Sequence, residues 1–312
     1  MADRMGELLA GRPERDLAIS LPDRAFEEFH EQGFTLVPRA TTDEEIEWLR
    51  RIYDYLFSGE LEFPVGALVH DVNRPLAEQR RGNVSSQILF PESLYPVLRE
   101  TVFYRNTRRL AGQLLGGELV CWGHMLRKAP GSMDPVPWHQ DEAYWDPNFD
   151  RDAAACWMPL EDATVESGAM SFIPGSHKGP VLNHGFPGDD PSVTAITVKE
   201  ELPAVAPVPQ PVPAGGVSIH HHRVLHMSGP NLTSNPRRAY VNVWNSDTVQ
   251  RAVPHERPWY WQKKEARDRH NREAVFYHDA SFADVTRLQA AKMRGQKPQR
   301  HSETPAERKE TA

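Results

Sequence analysis

The segment WHQD at residues 138–141 places an imidazole and a carboxylate two positions apart. In a β-strand, residues i and i+2 point to the same face, so His139 and Asp141 could converge on one cavity. A site of two histidines and one carboxylate on a single face leaves open positions for non-haem Fe(II) chemistry. Taken alone, the pattern is weak, because His and Asp at this spacing are usually a surface pair.

Histidines that could complete such a site cluster between residues 216 and 231, and they are His220, His221, His222 and His226. A run of solvated histidines is the plainer interpretation, yet this cluster follows a predicted strand and precedes a Ser-Gly-Pro-Asn turn. Arg237 and Arg238 come shortly after the turn. An arginine near a metal could hold the carboxylate of a chelating co-substrate, because guanidinium matches carboxylate geometry. A solvated arginine pair is the alternative.

The elements that could position these residues change character near residue 118. Upstream, residues 22–57 predict a helix, a short strand and a second helix, and residues 93–116 predict another helix. Downstream, short runs rich in β-branched and aromatic residues predict strands at 119–126, 154–160, 168–173, 216–220 and 239–244. Helices followed by many short strands indicate a β-rich α+β fold with a closed or sandwiched β core and helices packed outside.

Composition limits the class of protein. The 312 residues are 39% hydrophobic and 25% charged, which is typical of a globular protein, and no apolar run approaches the roughly 20 residues of a membrane span. The N-terminus has no apolar signal segment. Cys121 and Cys156 are too few for a disulfide framework, so we expect buried free thiols and a cytoplasmic protein. The Pro-rich stretch 202–213 is compatible with a sheet edge but not with a central strand.

The net charge also bears on partners. With 36 basic and 43 acidic residues the formal charge is −7, which argues against nucleic acid as the main partner. It is also mild evidence against a polyanionic coenzyme A ester. We therefore expect a small-molecule substrate, with no nucleic acid and no membrane. The sequence does not indicate an oligomeric state.

Taken in order, the motifs resemble the phytanoyl-CoA hydroxylase family of Fe(II)/2-oxoglutarate-dependent dioxygenases. The matching segments are WHQD at 138–141, CWMPLEDATVESGAMSFIPGSHK at 156–178, GVSIHHHRVLHMSGPNLTSNPRR at 216–238 and FEEFHEQGFTLVP at 26–38. The resemblance implies a double-stranded β-helix (jelly-roll, cupin-like) core with helices packed on one side. It further implies an enzyme that uses Fe(II), 2-oxoglutarate and O₂ to hydroxylate, or otherwise oxidise, an unactivated C–H of a small molecule, with release of succinate and CO₂.

The same resemblance implies the metal ligands, which are His139, Asp141 and His226. Asp141 bears on the type of reaction, because related halogenases replace this carboxylate with a small residue, and its presence therefore favours oxygenation. His220, on the strand leading to the last ligand, is a candidate to orient the ligands from behind. An ordinary packed or solvated histidine is an equal alternative. We interpret His177 as structural, or as the hinge of a lid.

Co-substrate contacts follow from the resemblance as well. Arg237 falls where the family places the arginine that binds the distal carboxylate of 2-oxoglutarate, and Ser228 where a hydroxyl contacts the same carboxylate. Trp157 matches a tryptophan that lines the co-substrate pocket. Met125 and Gln87 are candidates for the remaining pocket contacts, on a looser alignment.

Tyr144 and Trp145, directly after the ligand segment, could form a wall of the substrate pocket. We expect a single domain over residues 1–294, with a helical part at 20–117, a β core at 118–250 and an extension at 251–294, followed by a disordered tail at 295–312. Two other classes stay open. A cupin-type isomerase or hydrolase could use the same three ligands without 2-oxoglutarate, and a non-catalytic family member could bind metal alone.

Overall fold

The computed structural model describes residues 2–58, 60, 69–75 and 85–273. The α-helices in these ranges are α1 (Ala2–Ala10), α2 (Asp23–Gln32), α3 (Asp43–Leu56), α4 (Pro91–Leu94), α5 (Val102–Leu115) and α6 (Pro258–Glu273). None of these helices is both long enough and apolar enough to cross a membrane. The predicted tail at 295–312 and the end of the predicted extension lie outside the described residues.

Fifteen strands lie in the described ranges. They are β1 (Phe34–Val37), β2 (Val69–Asp71), β3 (Ser85–Leu89), β4 (Val120–Lys128), β5 (Val136–His139), β6 (Phe149–Asp150), β7 (Ala153–Pro159), β8 (Met170–Phe172), β9 (His184–Gly185), β10 (Thr197–Val198), β11 (Val208–Gln210), β12 (Val217–His221), β13 (His226–Ser228), β14 (Arg237–Asn245) and β15 (Val249–Gln250). Two antiparallel sheets dominate, one of seven strands in the order β1-β12-β7-β14-β4-β3-β2 and one of four in the order β11-β8-β13-β5. The predicted β-rich α+β class is confirmed.

The two faces of the seven-stranded sheet pack against different partners. On β7, Cys156 and Met158 point to a core shared with α1, α2, α3 and α5, whereas Ala155 and Trp157 point to a core shared with Phe172 of the smaller sheet. This alternation is the period-two pattern of a strand buried on both faces. The helices therefore cover one face of the large sheet, and the small sheet covers the other. Both cysteines are buried free thiols, as predicted.

Two local predictions differ from the structure. The helix predicted over 93–116 is divided, because α4 ends at Leu94, a 3₁₀ turn covers Pro96–Glu100, and Thr101 caps a new helix, α5, with its side chain. The predicted helical part at 20–117 also contributes β2 and β3 to the large sheet, in addition to the predicted short strand, β1. The Pro-rich stretch supplies β11, an edge strand of the small sheet, which agrees with the exclusion of a central strand. The single-domain boundaries stay a prediction.

A buried carboxylate joins two of the helices behind the large sheet. Thr42 caps α3 by accepting the backbone N–H of Glu45 at 3.2 Å. The Glu45 side chain then accepts the backbone N–H groups of Val102 and Phe103, at 2.7 and 2.9 Å, and the Thr41 hydroxyl at 2.6 Å. The first N–H groups of α5 have no partner within the helix, so a carboxylate there satisfies buried donors and complements the helix dipole.

We expect Glu45→Ala to lower the free energy of unfolding by about 1–3 kcal/mol, because it leaves buried donors unsatisfied. Urea unfolding followed by circular dichroism measures the change. Glu47→Ala is the matched control on the same helix, since Glu47 is exposed and pairs only with Arg50 at the surface, and its effect should stay within about 0.5 kcal/mol. Equal effects of the two substitutions would contradict this role of Glu45.

Candidate metal centre

A cavity of about 360 Å³ lies between the two sheets. The large sheet contributes Trp157 and Arg237 to its wall, and the small sheet contributes His139, His226 and Ser228. Most of the remaining wall is apolar or aromatic. A concave apolar site with a few convergent polar groups is the usual form of a small-molecule site.

Three of the cavity residues offer ligand atoms to one point. The nearest ligand atoms of His139, Asp141 and His226 all lie within 4.8 Å of one another. His139 and His226 are direct partners across β5 and β13, and their ring centroids are 4.2 Å apart. The Oδ1 atom of Asp141 is 3.7 Å from the Nε2 atom of each imidazole. The structure thus brings together the residues that the resemblance implied.

Hydrogen bonds to the backbone set the tautomer of both imidazoles. The Nδ1 atom of His139 is 2.7 Å from the carbonyl oxygen of Pro137, and that of His226 is 3.0 Å from the carbonyl oxygen of Val224. A carbonyl can only accept, so each Nδ1 carries the proton and each Nε2 lone pair is free to bind a metal. Burial lowers the pKa of both rings, which keeps them in the neutral form that metal binding requires.

A third imidazole holds the carboxylate. The Nε2 atom of His220 lies 3.3 Å from Oδ2 of Asp141, which leaves Oδ1 directed at the other two histidines. Burial by itself raises the pKa of Asp141, but the neighbouring His226 and the hydrogen bond from His220 outweigh it and hold that pKa below its ordinary value. His220 therefore lies where a residue that orients a metal ligand from behind would lie.

Asp141 does not lie in a strand, contrary to the geometry assumed from the H-x-D spacing. β5 ends at His139, and Asp141 begins a 3₁₀ turn over Asp141–Tyr144. The side chains of His139 and Asp141 still converge, because Gln140 keeps an extended backbone before the turn begins. The Gln140 side chain fixes this junction, since its amide donates to the carbonyls of Pro180 and Arg223.

Arg237 is the other unusual group in the cavity. Its side chain is 3% exposed, and its Nε and Nη1 atoms have no hydrogen-bond partner among the described residues. Its guanidinium carbon lies 5.3 Å from the ring centroid of Trp157. Burial lowers its pKa to about 10, so the group stays charged at neutral pH. A buried cation without a partner is strongly unfavourable, so this position in the cavity is suited to an anion.

Other co-substrate candidates are divided between the two faces of the sheet. Ser228 and Gln87 line the cavity, and the Gln87 amide donates to Nδ1 of His124 at 3.1 Å. Met125 does not line the cavity but lies fully buried in the core behind the sheet. The assignment of Met125 was wrong by one position, because alternate residues of β4 face opposite sides, and its neighbour Leu126 faces the cavity.

The remaining sequence candidates also have clear places. Tyr144 and Trp145 line the cavity, as a substrate wall requires. His177 lies outside it, with Nε2 3.2 Å from the carbonyl oxygen of His30. Its ring fills the space beside Gly33, where a Cβ would lie only 2.5 Å from the imidazole. His177 is thus a packing residue between the small sheet and the end of α2.

A second group of potential ligands, Asp152, His221 and His222, also lies within 4.8 Å. In this group the lone pairs of the two imidazoles already accept hydrogen bonds. The Nδ1 atom of His221 accepts the backbone N–H of Arg223 at 3.0 Å, and that of His222 accepts the N–H of Ala153 at 3.1 Å. His222 Nε2 then faces a carboxylate oxygen of Glu142 at 3.2 Å. The Nδ1 lone pairs of His221 and His222 thus accept hydrogen bonds, whereas the Nε2 lone pairs of His139 and His226 are directed into the cavity.

Sequence reasoning missed three features of the cavity wall. His124 faces it, and burial lowers the pKa of this imidazole to about 4. Lys128 donates to the carbonyls of Ser228 and Gly229, and burial together with Arg237 lowers its pKa to about 6. Helix α6 covers one side of the cavity. The alternation of β4 could have located His124 and Lys128, but nothing in the sequence placed α6.

The fold and the site together define the class of a non-haem metal enzyme with two histidines, one carboxylate and a buried arginine. Comparison with known proteins agrees. The sequence model of the phytanoyl-CoA dioxygenase (PhyH) family matches residues 29–239. The chain is 33% identical over 132 residues to a probable alpha-ketoglutarate-dependent hypophosphite dioxygenase of Stutzerimonas stutzeri, a match that covers 41% of this chain and 46% of that protein.

Two further matches cover a larger share of the matched protein. A phytanoyl-CoA dioxygenase of Arabidopsis thaliana is 24% identical over 254 residues, which is 70% of this chain and 87% of that protein. The crystal structure of EvdO2 from Micromonospora carbonacea var. aurantiaca complexed with 2-oxoglutarate is 36% identical, with a TM-score of 0.68, and covers 78% of this chain and 99% of that one. The chain belongs to the phytanoyl-CoA dioxygenase family. The predicted class, an Fe(II)- and 2-oxoglutarate-dependent dioxygenase, is confirmed.

We expect His139→Ala, Asp141→Ala and His226→Ala each to abolish high-affinity Fe(II) binding, because each removes one of the three candidate ligands that converge in this cavity. Anaerobic isothermal titration calorimetry measures the affinity. His30→Ala is the control, since His30 is an exposed histidine on α2 and its loss should leave the affinity unchanged. A ligand variant that binds Fe(II) as tightly as the wild type would remove that residue from the centre.

Proposed function

We propose that His139, Asp141 and His226 hold Fe(II) and that Arg237 holds the distal carboxylate of 2-oxoglutarate. With O₂, the enzyme then hydroxylates, or otherwise oxidises, an unactivated C–H of a small molecule and releases succinate and CO₂. The observation that carries the proposal is the buried guanidinium of Arg237, whose Nε and Nη1 atoms have no partner in the described part of the chain, in the same cavity as the three converging candidate ligands. A dicarboxylate that chelates the metal at one end satisfies this cation at the other.

Iron and 2-oxoglutarate, once bound, supply the oxidising chemistry. The chain positions them. Ser228, beside Arg237 in the cavity, supplies a hydroxyl to the same carboxylate, and the Trp157 ring keeps the guanidinium in place. Gln87, on β3, contributes a side-chain amide to the co-substrate pocket. His220 fixes the orientation of Asp141, so that one carboxylate oxygen is presented to the metal.

The substrate lies against Tyr144 and Trp145 in this proposal. The Tyr144 ring is 5.8 Å from the His139 ring, edge to face, and its hydroxyl accepts the backbone N–H of Ile196 at 3.1 Å. Trp145 is 7% exposed and stacks on His222, with ring centroids 5.1 Å apart. Both rings are rigid walls close to the metal ligands, which suits a site that must hold one C–H bond in position.

Finer points of organisation belong to the same proposal. The two antiparallel sheets that enclose the site support a double-stranded β-helix, or jelly roll. The single domain over residues 1–294 stays a prediction. A cytoplasmic location and the lack of a nucleic-acid partner stay predictions. The names of the relatives refer to substrates as different as hypophosphite and a coenzyme A ester, so membership of the family leaves the substrate open.

A cupin-type isomerase or hydrolase would need the three ligands but not a cation such as Arg237. We therefore expect anaerobic titration of the Fe(II)-loaded protein with 2-oxoglutarate to produce the visible charge-transfer band of a keto-acid chelate. Under air, a substrate should stimulate succinate formation from 2-oxoglutarate. The same titration with succinate, which lacks the keto group, is the control. A protein that binds Fe(II) but gives no band with 2-oxoglutarate would favour the isomerase or hydrolase.

Arg237→Gln should raise the KM for 2-oxoglutarate by about 10- to 100-fold, because hydrogen bonds to a charged group contribute about 1.5–3 kcal/mol. Succinate formation as a function of 2-oxoglutarate concentration measures it. Arg238→Gln is the matched control, since Arg238 points away from the cavity and pairs with Glu161 and Asp54. Its KM should be unchanged. A raised KM in the control and not in Arg237→Gln would transfer the role to Arg238.

A further inference from the structure

Helix α6 presents an unusual face to the cavity. Four of its residues line the wall at positions i, i+3, i+4 and i+7, and they form what we call the α6 stripe: Tyr260, Lys263, Lys264 and Arg267. This spacing is one face of a helix. A helix that packs on a protein normally buries an apolar stripe, whereas three of these four residues are cations.

Another side of the helix attaches it to the protein. Trp259 is 4% exposed and packs in a small core with Ala143, Phe186 and Ile196. Its indole N–H donates to the carbonyl oxygen of Ala143 at 2.8 Å. Tyr260 also packs against this core, and Lys263 lies over the Phe186 ring. Lys264 and Arg267, one turn further along the stripe, are not part of that core, and their place on the cavity wall calls for another explanation.

The charges along the cavity wall are strongly unbalanced. Among the described lining residues the one carboxylate is Asp141, which faces the metal position, while the basic side chains are Arg127, Lys128, Arg237, Lys263, Lys264 and Arg267. Burial lowers the pKa of Lys128 to about 6 and that of Lys263 to about 7, so these two carry only part of a charge at neutral pH. The chain as a whole carries a net charge of −7. Positive potential is thus concentrated where a ligand binds, and low-dielectric walls strengthen its effect on an anion.

The α6 stripe places three basic side chains close together on the cavity wall. Lys263 and Arg267 are like charges at i and i+4, a spacing that destabilises a helix. Burial, with Arg267 adding to it, lowers the pKa of Lys263 to about 7. The Lys263 ammonium donates to the carbonyls of Val193 and Thr194, at 2.7 and 2.5 Å, which leaves one N–H for a ligand. Lys264 has an acidic partner, Asp268, at 2.8 Å.

An aromatic ring separates the stripe from the metal position. The Lys263 ammonium lies 5.9 Å from the ring centroid of Tyr144, and that ring lies 5.8 Å from the ring of His139. Trp145 and Trp122 extend the apolar wall on the same side of the cavity. A molecule that reaches from the stripe to the metal would therefore place an apolar segment against these rings.

We propose that the substrate carries an anionic group, a carboxylate or a phosphate, that binds the α6 stripe. Its apolar body lies against Tyr144 and Trp145, with the reacting carbon at the metal. The inference rests on the proposed function, because it takes the same cavity to be the dioxygenase site. It makes Lys264 and Arg267 specificity-determining residues for the anionic group.

The test uses matched probes on the full chain loaded with Fe(II) and 2-oxoglutarate under anaerobic conditions. The probes are 3-phenylpropionate, its neutral amide 3-phenylpropanamide, and 2-phenylethyl phosphate. Isothermal titration calorimetry gives each Kd. We expect at least one of the two anions to bind about tenfold or more tightly than the amide. Preference for the carboxylate or for the phosphate then identifies the anionic group.

The double variant Lys264→Met, Arg267→Met keeps the apolar stems and removes both charges. It should weaken binding of the preferred anion about tenfold and leave the Kd of the amide unchanged. The matched control, Arg24→Met with Lys178→Met, makes the same change of net charge at exposed positions outside the cavity. Equal binding of amide and anions, an unchanged preference in the stripe variant, or no binding of any probe would overturn the inference.

The two proposals fail separately. If the wild type gives no 2-oxoglutarate band and Arg237→Gln leaves 2-oxoglutarate binding unchanged, the proposed function is wrong whatever the probes show. If those results are as expected and the α6 stripe does not discriminate between anion and amide, only the substrate class is wrong. Binding of 2-oxoglutarate to the stripe variant should match the wild type, which separates loss of the anion site from loss of the co-substrate site.

Discussion

The antiparallel pairing of β5 with β13 is the constraint on which the site depends. It sets His139 opposite His226, two residues that are far apart in the chain. Because side chains alternate between the faces of a strand, a slip of one residue would turn one imidazole out of the cavity. The same strands fix the chemistry of the rings, since in each histidine Nδ1 meets the carbonyl oxygen two residues earlier. Register and tautomer are thus set together, before any metal binds.

Much of this arrangement follows from local sequence, and the rest does not. The H-x-D spacing indicated two converging ligands, and the period-two runs located the strands that carry the site. The spacing could not select His226 among four neighbouring histidines. His221 and His222 are set apart from His226 by the hydrogen bonds that their Nδ1 atoms accept, and these bonds are formed only in the folded chain. That choice needed the resemblance to a family. Met125 shows the other limit, since a shift of one residue in an alignment moves a side chain to the opposite face of β4.

Helix α6 was beyond sequence reasoning for a physical reason. A helix is usually recognised by the apolar stripe that it buries. The α6 stripe faces a cavity, so most of its residues are polar. Trp259, on another side of the helix, packs into a small core. Such a segment has the composition of a solvated helix. Residues that serve a ligand rather than the core break the patterns by which folds are recognised, so functional sites are where those patterns are expected to fail.

The net charge of the chain also differs from the charge around the cavity. The net charge of −7 is mild evidence against a polyanionic coenzyme A ester, yet a ligand responds to the charges within about one Debye length of its own position. Among the described residues of the cavity wall, basic side chains outnumber carboxylates, and two of them, Arg237 and Lys128, are almost completely buried. Lys128 is satisfied by backbone carbonyls, whereas two nitrogens of Arg237 are not satisfied by any described residue. The buried guanidinium of Arg237 therefore has a desolvation cost that an anionic ligand would offset, and in the proposed function this offset contributes to the affinity for 2-oxoglutarate.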